Sequence, residues 1–143
     1  MTEKTNEVIV TDKPDPNAQR VIRVGLSQYN REMAGYNDAR SLSLLVSDPA
    51  SGKIIGGLLG RTSLGLFFID LFFLPRALRG NGVGSEVIRR AEAEAKERGC
   101  STAVLYTITF QAPGFYERNG YRVLGRVECQ PPGHTRFCMT KTL

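Results

Sequence analysis

The spacing of apolar positions changes several times along the chain, and each change marks an element. Residues 1–19 are polar and proline-containing except for Val8-Ile9-Val10, which predicts a short entry strand followed by a loop. From 17 to 31, Ala18, Val21, Ile22, Leu26 and Tyr29 recur near helical spacing, and Pro14 and Pro16 stand where a helix begins, so one helix is expected there. The apolar runs 42–46 and 53–60 flank Asp48-Pro49-Ala50-Ser51-Gly52, whose residues suit the turn of a β-hairpin. A second turn at 62–65 leads into the long run 66–74, giving three consecutive antiparallel strands.

After Pro75 the period lengthens. Val83, Val87, Ile88, Ala91 and Ala95 line one face of a helix over about 82–98, charged residues take the other face, and Gly99 supplies the stop. A β-branched strand follows at 102–108, then a short helix at 113–118 ended by Asn119-Gly120, then strands at 121–128 and 135–140 joined by the loop 129–134. A strand, a crossover helix and a strand between 66 and 108 require a parallel pair, so the sheet is mixed. The expectation is an α/β (α+β) fold: one domain over 1–143, a mostly antiparallel mixed sheet of about seven strands flanked by helices, and a polar N-terminus at 1–7 prone to fraying.

Composition narrows the class. With 143 residues, 41% of them hydrophobic, the chain can bury a single core. The formal net charge of +5 favours an anionic partner. Its basic residues are dispersed among acids, as in Arg89-Arg90-Ala91-Glu92, without a basic stripe or aromatic platform, which argues against nucleic acid. Cys100, Cys129 and Cys138 are odd in number and lack C-x-x-C spacing, so neither a disulfide framework nor a metal site is implied, and a reducing, cytoplasmic setting is expected. The N-terminus lacks the apolar run of a secretory signal, and the stretch 64–74 is too short to span a bilayer and contains Asp70, so no membrane association is expected.

The candidate chemistry begins at Arg79-Gly80-Asn81-Gly82-Val83-Gly84, between a strand and the strongest helix. Glycines there let backbone approach a ligand, and the helix N-terminus turns N–H groups and a dipole toward an anion such as a pyrophosphate. The dinucleotide fingerprint fails at its third glycine, where Ser85 stands, and no Gly-Lys-Ser/Thr triplet follows for a P-loop. Alone, such a turn is better read as glycines that only cap a turn.

Its context is more specific. Arg79-x-x-Gly82-x-Gly84, after an apolar strand and before an amphipathic helix, resembles the acetyl coenzyme A signature of the GNAT superfamily of N-acetyltransferases. Phe115-Tyr116-Glu117-Arg118-Asn119-Gly120-Tyr121 is similar to that family's closing block, and Ala112 has the usual spacing to Tyr116. The resemblance covers 42–143.

The resemblance implies acetyl transfer from acetyl coenzyme A (acetyl-CoA) to a primary amine of a small molecule or peptide by direct attack, in an enzyme that often dimerises. A noncatalytic acyl-CoA sensor is the alternative. It implies that the backbones of Phe72, Phe73 and Leu74 bind the pantetheine arm, and that Arg79, Gly80, Asn81, Gly82, Val83 and Gly84 wrap the pyrophosphate. Tyr116 matches the family's general acid, though a core tyrosine is the competing reading. Asp70 interrupts an apolar strand with the parity of Phe72 and Leu74, which makes it either a general base and acceptor-binding group or a hydrogen-bonded structural carboxylate. His134 and Tyr106 are the other acceptor-side candidates, the competing and, for His134, favoured readings being a surface-loop histidine and a core-facing tyrosine. Many relatives carry asparagine seven positions before the tyrosine; here Thr109 stands there, with Gln111 nearby as a substitute cofactor contact.

Overall fold

The computed structural model describes residues 3–143; of the expected polar stretch 1–7, residues 1 and 2 lie outside the described residues. The chain divides into two compact units, one ending at Asn37 and one spanning Asp38–Leu143.

The first unit contains α1 (Pro16–Ala34). Asp15 caps it by accepting a hydrogen bond from the Ala18 amide at 2.8 Å, Pro16 opens it, and Gly35 closes it in the left-handed conformation. The helix outlasts the spacing signal because nothing breaks it before Gly35. Val8-Ile9-Val10 form no strand, which corrects the entry-strand expectation. Three β-branched residues without a neighbouring ladder gain too little to order as a strand.

The second unit begins with β1 (Arg40–Ser47), β2 (Ile54–Ser63) and β3 (Leu66–Phe73), and continues through α2 (Val83–Glu97), β4 (Thr102–Ile108), α3 (Pro113–Arg118), β5 (Arg122–Cys129) and β6 (His134–Thr142). Its sheet has six strands in the order β1-β2-β3-β4-β6-β5, not seven. The β3–β4 pair is parallel and the other pairs are antiparallel, as the crossover through α2 requires.

Inward residues of the strands, among them Leu42, Leu58, Phe67, Leu105 and Met139, join Val87, Ile88, Ala91 and Ala95 of α2 in one buried cluster. Each large side chain buried this way contributes about 1.5–3 kcal/mol over leaving it in water. This packing fixes α2 against the sheet, and hence its N-terminus beside the C-terminal end of β3.

One irregularity alters the site. Leu59 pairs with Leu71, but the next residue of β2, Gly60, pairs with Ile69, so Asp70 is an extra, unmatched residue: a β-bulge. Beyond it the inward residues are Phe72 and Leu74, while Asp70, Leu71 and Phe73 are exposed. The expected shared parity of Asp70 with Phe72 and Leu74 is therefore wrong, because the bulge shifts the alternation by one.

Candidate active site

β3 and β4 are paired over four registers, ending at Ile69 with Leu105. Beyond that point β3 continues with β2 and β4 continues with β6, so the two strands part. A cleft of about 670 Å³ lies along this opening, lined by Asp70 and Leu71 through Leu74 on one side, Tyr106 and Thr107 on the other, and the glycine turn and Tyr116.

The glycines of the turn have different tasks. Gly80 and Gly82 have φ of +83° and +89°, and a Cβ on either would meet nothing within 4 Å, so both are needed for backbone conformation and for an open cradle. Gly82 is also the N-cap of α2, and no side chain caps the helix there. The first-turn N–H groups and the helix dipole thus remain available to an anion. Gly84 serves packing, since a Cβ there would sit 3.1 Å from the Phe115 ring.

Arg79 turns its Nε–H back to the Leu74 carbonyl oxygen at 2.9 Å, bracing the turn against the end of β3 while still lining the cleft. Asn81 and Val83 do not line it; Val83 packs against the core, which leaves their backbone as the part able to serve a ligand.

Tyr116 lies on α3, which Pro113 opens, and is 7% exposed. Its ring meets Phe115 and Tyr121 edge-on, with centroids 5.2 Å and 5.8 Å away. Phe115 in turn stacks on Phe72 at 5.8 Å, which ties α3 to the free part of β3. Burial pushes the Tyr116 phenol up to about 12, so at neutral pH it is a proton donor facing a cleft that it lines.

Asp70 lines the cleft at the bulge and pairs with Arg61, its Oδ2 accepting from Nε at 3.3 Å. The Arg61 guanidinium lies over the Phe68 ring at 4.3 Å. Tyr106 also lines the cleft. Two other expected contacts are placed elsewhere. The Thr109 hydroxyl donates to the Thr135 carbonyl at 3.0 Å and accepts from the Thr135 amide at 2.8 Å; it does not line the cleft. His134 opens β6, meets Phe110 edge-on at 5.0 Å, and likewise does not line it. Gln111 does line it, but its Oε1 already accepts from the Ile108 amide at 3.1 Å.

Ser85, Phe110 and Arg118 line the cleft and were not anticipated. Ser85 was findable, because it falls in the first turn of α2, where a ligand at the helix N-terminus must pass. The cradle's donors and the cations Arg79 and Arg118 fit a pyrophosphate, and the unpaired edge of β3 fits an amide-bearing arm.

The chain has relatives of known family. The model of the acetyltransferase (GNAT) family matches residues 9–121. Acetyltransferase Atu2258 of Agrobacterium fabrum is 34% identical over 117 residues, which cover 82% of this chain and 85% of that protein. Blasticidin-S acetyltransferase of Streptomyces morookaense is 42% identical over 93 residues, covering 64% of this chain and 68% of that protein. The crystal structure of an acetyltransferase from Bacillus cereus superposes with a TM-score of 0.75 at 32% identity, over 94% of this chain and 98% of that one. A cleft opened by two diverging parallel strands, an uncapped glycine-led helix at its end and this kinship give one conclusion: the chain is an acyltransferase belonging to the acetyltransferase (GNAT) family.

Proposed function

We propose that the protein transfers the acetyl group of acetyl-CoA to a primary amine of a small molecule, inside the cleft between β3 and β4. The observation that carries this reading is the end of parallel pairing at Ile69 and Leu105, which frees a strand edge leading directly to the uncapped N-terminus of α2. The diphosphate of the cosubstrate lies on the amides around Gly80 and Gly82. Its pantetheine arm runs along the backbone of Phe72, Phe73 and Leu74.

An ammonium has no lone pair, so the acceptor must lose a proton to attack the thioester carbonyl. Asp70, at the mouth where the strands part, takes that proton directly or through water. The amine nitrogen forms a bond to the carbonyl carbon, the carbon–sulfur bond breaks, the thiolate receives the proton of the Tyr116 hydroxyl, and the second proton that the nitrogen sheds on becoming an amide passes through water to the Tyr116 phenolate and restores it. Tyr106 and Leu71 give the acceptor an apolar and aromatic wall beside Asp70. The acceptor of the Streptomyces relative, as its name states it, is a small molecule, which favours that class over peptides.

The test is release of free thiol from acetyl-CoA with blasticidin S, spermidine, kanamycin and a tetrapeptide with a free N-terminus. Faster release with one of the first three supports the reading. Release with the tetrapeptide alone would replace it with peptide acetylation.

A further inference from the structure

Behind the cleft lies a buried carboxylate that the steps above do not use. Glu92, on α2, is 8% exposed. Its Oε2 accepts the Tyr121 hydroxyl at 2.9 Å, and its Oε1 accepts Lys141 Nζ at 2.8 Å. Gly120, at φ +92°, leaves room for Lys141 to reach across: a Cβ there would stand 3.2 Å from Lys141 Cε. One carboxylate thereby joins α2, the segment following α3 and β6.

Stability is a weak reason for such an arrangement. Burying a charge costs several kcal/mol before its partners offset it, and apolar side chains of the same volume are often as stable or more so. The arrangement has a specific neighbour, however. Tyr121 is 3% exposed, its ring meets the Tyr116 ring at 5.8 Å and 75°, and its amide donates to the Tyr116 carbonyl oxygen at 3.0 Å. Among the described residues, the Tyr116 hydroxyl has no hydrogen bond to the protein, so ring packing alone aims it. Phe115 supplies one wall of that packing, and Tyr121 supplies the other. A phenyl ring free to tilt would move its hydroxyl by an ångström or more, and displacements of about 1 Å at a reacting group cost on the order of 100-fold in rate.

We propose that Glu92, held by Lys141, is a positioning residue for Tyr116 and acts through the Tyr121 hydroxyl, which fixes the ring against which Tyr116 is set. This rests on Tyr116 being the proton donor.

The test is a double-mutant cycle on single-turnover acetyl transfer, with whichever amine of the panel above turns over fastest. Glu92→Gln and Tyr121→Phe are each made in the wild-type and in the Tyr116→Phe background. In the wild-type background each is expected to slow transfer about five- to tenfold while leaving the Kd for CoA within about twofold. In the Tyr116→Phe background the same changes are expected to alter the rate less than about twofold, because the group they position is gone. A purely structural role would give equal losses in both backgrounds, and that result overturns the proposal. No loss in the wild-type background overturns it as well. If Tyr116→Phe alone leaves the rate unchanged, the proton-donor assignment falls and takes this proposal with it, a result distinct from the other two. Tyr121→Phe preserves the core volume and removes only the hydroxyl anchor, so it carries the comparison if Glu92→Gln does not fold.

Discussion

Asp70 and Tyr106 are the first residues of β3 and β4 beyond the last parallel pair, Ile69 with Leu105, and both line the cleft that opens there. Asp70 is the extra residue of the bulge: alternation from buried Ile69 already turns it outward, and the unmatched residue is what brings Phe72 and Leu74, rather than Leu71 and Phe73, to the inner face. A carboxylate and a phenol ring thus face the same mouth from opposite strands.

Asp70→Asn keeps the shape and removes the proton acceptor. The expected result is a fall of about 100-fold in kcat/KM for the amine, with the Kd of acetyl-CoA changed less than about twofold. Steady-state kinetics against amine concentration, paired with cofactor titration, measures both. An unchanged kcat/KM would leave Asp70 as a partner of Arg61 and nothing more.

The raised phenol of Tyr116 has a consequence for stability at high pH. The folded protein holds this proton up to about 12, while the unfolded chain releases it near the ordinary value of about 10. Between these values the folded state binds more protons than the unfolded one, so stability falls as pH rises. The contribution is complete below about pH 10 and is lost progressively through about pH 12, a loss on the order of 1 kcal/mol by pH 11. Tyr121, also raised by burial and by Glu92, acts in the same direction. Urea unfolding at pH 9 and pH 11 should show a drop that is smaller in Tyr116→Phe than in wild type. Equal drops would mean that the phenol is not shielded from water.

Gly84 and Gly82 should fail in different ways. Gly84→Val places a branched side chain against the Phe115 ring and the Leu74 methyl carbon, at 3.1 Å and 3.4 Å from its Cβ. Overpacking of this kind costs about 1–3 kcal/mol. Thermal unfolding should register it as a Tm lowered by several degrees. A Tm equal to wild type would show that Phe115 moves aside freely.

The elements that hold the site were legible because each carries its own punctuation. The apolar positions from Val83 to Ala95 repeat at helical period and stop at Gly99, which has φ +86°, and α2 runs Val83–Glu97. The strand read at 102–108 is β4 and the short helix read at 113–118 is α3. The bulge was not legible as a bulge: Asp70 is the one polar interruption of the apolar run, but whether a residue is unmatched belongs to the register between two strands. Thr109 shows a different limit. The resemblance pointed to it as the position of the family's cofactor-contacting asparagine, with the change to threonine already putting that contact in doubt; a short hydroxyl side chain readily bonds to nearby backbone, and it takes both polar groups of Thr135. Ser85 was within reach of the argument that selected Gly82, had that argument been carried one turn into the helix.

The central claim, that main-chain groups at the head of α2 hold a diphosphate, is tested most directly by calorimetric titration of CoA into wild type and Gly82→Val. Gly82 has φ +89°, a conformation that costs a β-branched residue about 1–2 kcal/mol or more, so valine must distort the cradle. The account predicts saturable one-to-one binding to wild type, weakened at least about tenfold in a Gly82→Val protein whose circular dichroism is unchanged. Equal affinity in the two proteins, or no binding heat from folded wild type, would contradict it.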